Sequence, residues 1–126
     1  MGIDLRSYIE IESYYEKNEG SLFAEVFTDC RDYEFYKMIH DDDGDRFLGN
    51  KPIFPSRGLP KNVDSIIGED LEVYSSVSWL YLEELISLLP DIDRKDTLIR
   101  LKATIAAMSE LEKETGKKTR FVFGFI

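Results

Sequence analysis

The residues with the clearest chemical potential lie in two short segments. "SRGLP" (Ser56–Pro60) places Arg57 and Gly58 between Pro55 and Pro60. An arginine there is a fork-shaped donor on a stiff loop, and the glycine lets a ligand or another backbone come close. Such a fork suits phosphate or carboxylate. "SSVSW" (Ser75–Trp79) adds neutral donors at Ser76 and Ser78 and a flat ring at Trp79, with Tyr74 just before it. Arg31, Tyr33 and Arg46 are further candidates for the wall of the same pocket. Two plainer readings compete: Arg57 pairs with one of the many acids and pins its loop, and Trp79 belongs to the core.

Other chemistries have weaker signatures. The acidic run Asp41, Asp42, Asp43, Asp45 resembles a calcium loop, but no start point puts acids at positions 1, 3 and 5 and glycine at 6. A solvated turn is the simpler reading. His40 is the sole histidine and Cys30 the sole cysteine. About ten residues separate them, near two helical turns, so a nucleophile–base pair is not expected. Glu10 and Glu12 share a strand face, but alternation already explains them as its wet side. The carboxylates leave room for a hydrolase as a third reading, although none is marked as sitting in a dry pocket. No catalytic residue, cofactor or metal is therefore assigned.

At 126 residues the chain reads as one domain, 1–126. Eight Phe, seven Tyr and one Trp give a globular composition. The net charge of −9 repels nucleic-acid backbone, so nucleic acid is not an expected partner. An acidic protein can instead occupy a basic groove on another protein. A lone cysteine excludes an intrachain disulfide and suits a reducing cytoplasm. No signal-peptide pattern or apolar span long enough for a membrane is read, and "MGIDLRS" matches a myristoylation signal only in part.

These segments need a scaffold. "SYIEIESYYE" alternates with the period of a strand, "KNEG" turns, and "SLFAEVF" returns, predicting an N-terminal hairpin. A short helix is predicted over Cys30–Ile39 with Asp29 as its cap. Residues 41–64 form a long irregular segment that packs down on its apolar side chains. "SIIGEDLEVY" predicts a weak helix broken near Gly68. An extended piece follows at Val77–Leu80, then a helix ended by Pro90. Leu98, Leu101, Ile105, Met108 and Leu111 mark the longest helix, opened by Asp93 and closed by Gly116. "TRFVFGFI" closes the chain as an inner strand. The fold class expected is α+β, a mostly antiparallel sheet covered by helices on one face.

"RDYEFYKMI", "PIFPSRGLPKNVDS", "SSVSWLYLEELI" and "TRFVFGFI", taken in order, resemble a family of small proteins encoded by tailed bacteriophages. Its members carry an "RNYDLF"-like helix, a "PRGLP" loop, an "HSxSWLTLxEL" segment and a terminal "VRLVF" strand. This chain departs from the family's "DIH" strand at Asp4-Leu5-Arg6, from the histidine of "HSxSW" at Ser75, and from the helix-starting threonine at Tyr81, so that N-cap is lost. The resemblance implies a phage origin, the cytoplasm of an infected bacterium, and a small accessory role. The expected function is an inference from that role, not a property of the motifs: a counter-defence protein that sequesters a small nucleotide-derived anion, of the cyclic ADP-ribose or cyclic oligonucleotide type, without cleaving it. Arg57, with Arg31 or Arg46, would hold phosphate. Tyr33, Tyr74 or Trp79 would stack on a base, and Ser76 and Ser78 would bind sugar or phosphate oxygens. The alternative is an acidic inhibitor that binds a host defence protein. A homo-oligomer would give the aromatic excess an interface to cover.

Overall fold

The computed structural model describes residues 4–13, 19–27, 32–40 and 53–126. Alternating apolar residues and a phenylalanine-rich C-terminus produce the frame. Strands β1 (Leu5–Ile11), β2 (Ser21–Val26), β3 (Ser75–Tyr81) and β4 (Thr119–Phe125) form one sheet in the order β2-β1-β4-β3. Every pairing is antiparallel. β4 lies inside the sheet, as its two apolar faces predict.

One face of the sheet carries Leu5, Ile9, Leu80, Phe121, Phe123 and Phe125. It packs against α1 (Tyr33–Ile39), α3 (Leu82–Ile86) and α4 (Lys95–Thr115), which bury Phe35, Leu85, Leu101 and Met108 there. Leu98, Ile105 and Leu111 of the predicted α4 stripe line the rim of this core. A short 3-10 turn at Leu89–Asp91 contains Pro90 and separates α3 from α4.

The second face is covered as well. α2 (Ser65–Asp70) runs through Gly68 without breaking. Ile67 and the following Leu71 pack on Tyr8 and Val122, with Trp79 and Tyr74 at the margin. This corrects the expectation of a wet face on β1: Tyr8 and Glu10 are buried there. The alternation is real, but the side chains it exposes are roofed by a segment far away in sequence.

Two helix starts differ from the reading by type of residue. α1 begins at Tyr33 with Asp32 as its cap, accepting from the Phe35 N–H at 3.3 Å and from the Thr97 hydroxyl. Asp29 and Cys30 lie outside the described residues. α4 has no side-chain cap of its own. Glu34 of α1 accepts from the Asp93 and Arg94 N–H groups instead, at 3.0 and 3.1 Å. Gly116 ends α4 with φ 69°, the left-handed stop predicted for it.

Candidate functional site

The two segments singled out in the sequence meet. Residues 56–58 run along the outer edge of β3 as a strap. The Ser56 hydroxyl donates to the Val77 carbonyl at 2.8 Å, and the Gly58 N–H donates to the same oxygen at 2.9 Å. The Arg57 N–H donates to Ser78 Oγ at 2.9 Å. Gly58 has φ 75°, the left-handed region that a side chain disfavours. On the opposite side of this contact β3 bulges between Ser75 and Ser78, with Ser76 at φ 50°.

The Arg57 side chain is committed to its own protein. Its guanidinium makes a two-pronged pair with Glu84 of α3, Nη1 to Oε1 at 2.7 Å and Nη2 to Oε2 at 2.5 Å. Nη1 also donates to the Trp79 carbonyl at 3.1 Å. The cation lies 4.8 Å from the centre of the Trp79 ring and 5.6 Å from that of Phe54. Among the described residues, the Nε hydrogen and the second Nη2 hydrogen have no hydrogen-bond partner. Glu84 also accepts from the Tyr81 N–H at 2.9 Å, so it serves the start of α3 and the arginine together. The hydrogen bonds from Arg57 hold the Glu84 carboxyl below its ordinary range, against the opposing effect of burial. The same bonds raise Arg57.

A second ion pair sits beneath. Glu10 on β1 and Arg120 on β4 face each other across the register Glu10↔Arg120. Arg120 Nε donates to Glu10 Oε1 at 2.6 Å, and its Nη2 pairs with the same oxygen. Glu10 Oε2 accepts from the Asp64 N–H at 2.6 Å. Burial pushes the Glu10 carboxyl above its ordinary value, opposed by the Asp64 N–H and the Arg120 cation. The Arg120 guanidinium is 6.0 Å from the Trp79 ring centre. Gly20 approaches so closely that a Cβ there would overlap the Glu10 carboxyl.

The expected site residues are thus distributed unequally. Arg57, Gly58, Ser78 and Trp79 converge, and Ser76 stands at the bulge beside them. Trp79 is half-buried, with two guanidiniums over its ring and the Tyr81 ring 4.8 Å away edge-on. Tyr74 packs beside α2, its Cβ against Gly124. Tyr33 is on α1, at the margin of the first face, with its ring 5.5 Å from that of Tyr36. It does not share a wall with Trp79. Arg31, Arg46 and the acidic run 41–45 lie outside the described residues. His40 is buried with its ring 4.6 Å from that of Phe125.

Sequence reasoning missed three members of this region. Glu84 stands three residues after the helix-starting Tyr81, the spacing of a capping box, and that signal was available. Glu10 and Arg120 are 110 residues apart and nothing local announces their pairing. Among the described residues, no group of three or more His, Cys, Asp or Glu could hold a metal ion. Likewise, no helix is long and apolar enough to cross a membrane. No protein-family model, no curated protein and no solved structure matches this chain.

Proposed function

We propose that this chain is a phage counter-defence protein that acts by binding, its acidic surface engaging a basic surface on a host defence protein. The phage and counter-defence setting rests on the sequence resemblance alone; one observation carries the mode of binding. From Asn62 to Asp93 the chain has no lysine or arginine, yet it holds Asp64, Glu69, Asp70, Glu72, Glu83, Glu84, Asp91 and Asp93. Glu69, Glu72, Glu83, Asp91 and Asp93 are exposed. The cation on which capture of a small anion would depend is already neutralised by Glu84. A field of this sign speeds encounter with a basic partner and weakens with salt.

The experiment is affinity purification from infected cells followed by titration against the recovered partner at rising salt. Binding should weaken steeply with salt and be lost on combined Glu69→Lys and Glu72→Lys, while Arg57→Ala leaves it intact. Salt-insensitive binding, or loss with Arg57→Ala alone, sinks the reading.

The second reading, capture of a nucleotide-derived signal, is supported by the meeting of Arg57, Gly58, Ser78 and Trp79 in one place. A phosphate could reach Arg57 along its Nε edge or by displacing Glu84. Calorimetry with cyclic ADP-ribose and cyclic dinucleotides tests it: heat that disappears with Arg57→Ala is expected, and no heat from folded protein removes it.

A further inference from the structure

β3 is an outer strand of the sheet, and its sequence, Ser75-Ser76-Val77-Ser78-Trp79-Leu80-Tyr81, contains no charge. Exposed strand edges template pairing with other chains, and proteins protect them with charges, bulges or covers. β2, the other outer strand, carries Glu25 and is paired with β1 through an irregular register. The β3 bulge takes in Ser76 and Val77, and the regularly paired run Ser78–Tyr81 that follows carries no charge and includes Trp79 and Tyr81.

What covers it can be read group by group. Residues two apart on a strand direct their backbone groups to the same side. Val77, Trp79 and Tyr81 are so related, and each is engaged from outside the sheet. The Val77 carbonyl takes the Ser56 hydroxyl and the Gly58 N–H. The Trp79 carbonyl takes Arg57 Nη1, and the Tyr81 N–H gives to Glu84 Oε1. The guanidinium and the carboxylate therefore stand where the N–H and C=O of a neighbouring strand would stand, joined to each other by their own ion pair.

We propose that the 56–58 strap, fastened by the Arg57–Glu84 pair, is a removable cover of the β3 edge, and that it excludes β3 of a second copy of this chain. The pairing would be antiparallel and centred on Ser78. That register sets Val77 of one copy against Trp79 of the other, twice, a β-branched–aromatic match of the kind that stabilises sheets. No like charges meet along the seven residues. The inference is independent of both readings of function.

Sedimentation velocity across a concentration series tests it, with circular dichroism establishing the fold of each variant. Arg57→Ala should associate at least about tenfold more tightly than the native chain. Adding Val77→Lys to that variant should abolish the gain, because two lysines would then flank the centre of the pairing. If Arg57→Ala does not fold, Arg57→Met carries the test. It keeps an apolar stem beside Trp79 and removes the guanidinium that fastens the strap. A folded strap variant that sediments like the native chain overturns the proposal, as does a dimer that Val77→Lys leaves intact.

Discussion

Two arginines lie over one indole, and each holds one glutamate. Arg57 and Glu84 meet at the sheet edge, with side chains 28% and 20% exposed. Arg120 and Glu10 meet between strands at 6% and 0%. The carboxyls respond in opposite directions. At the edge the hydrogen bonds from Arg57 outweigh partial burial, and Glu84 goes down. Inside, burial outweighs Arg120 and the Asp64 N–H together, and Glu10 goes up. The same chemical pair is thus a reversible fastening in one place and a costly structural joint in the other. The inner pair ties β1 and β4 to the loop that leads into α2. The outer pair ties the strap to α3 and to β3.

The contrast is broken most directly at Arg120. Arg120→Ala leaves a fully buried carboxylate without its cation. The expected loss is about 3–5 kcal/mol, a large part of a small domain's stability. Urea unfolding measures it. Replacing Glu10 and Arg120 together by methionine should recover part of that loss: the unpaired charge is gone, but the Asp64 N–H loses its acceptor. A loss of under about 1 kcal/mol for Arg120→Ala would place both pairs in one class.

A gentler test uses the glycine beside each pair. Gly20→Ala drives a methyl into the Glu10 carboxyl, which is held on two sides and cannot swing away. About 1–3 kcal/mol is expected, as for other overpacked sites. A Cβ at Gly58 meets nothing within 4 Å, so Gly58→Ala costs only the left-handed backbone, about 1 kcal/mol. Melting curves should rank Gly20→Ala below Gly58→Ala.

The two sites also show what a sequence makes visible. The frame was readable because strand alternation and the α4 stripe are local patterns with fixed periods. The central place of β4 followed from its apolar residues on both faces. The Ser56–Gly58 and Ser75–Trp79 segments are grouped in the sequence by what their donors and rings could bind; the bonds that join them to each other, from Ser56, Arg57 and Gly58 to Val77 and Ser78, leave no sequence signal. The wet face assigned to β1 failed for a specific reason. Alternation tells which residues point together, but not what is folded over them, and α2 arrives from more than fifty residues away. Glu84 could have been found from its offset to Tyr81. Its second role, on Arg57, could not, because a pair joined across 27 residues of strand, turn and helix leaves no periodic trace.

Acid should separate the two pairs without any change in packing. Glu84 has its native pKa below the ordinary 4.5, so its contribution to stability is complete above that value and is lost as pH falls through the lowered one. Glu10 has the opposite sign: its contribution is complete below the ordinary 4.5 and is lost as pH rises through the raised native value. Stability of the native chain relative to Glu84→Gln should therefore be greatest near neutrality, by about 1 kcal/mol, and shrink on acidification. Relative to Glu10→Gln it should move the other way, improving as the buried carboxyl takes up its proton. Chemical denaturation of the three proteins from neutral to acidic pH gives both differences directly. Two differences with the same slope would mean that exposure does not decide how these pairs behave, and the distinction between fastening and joint would be lost.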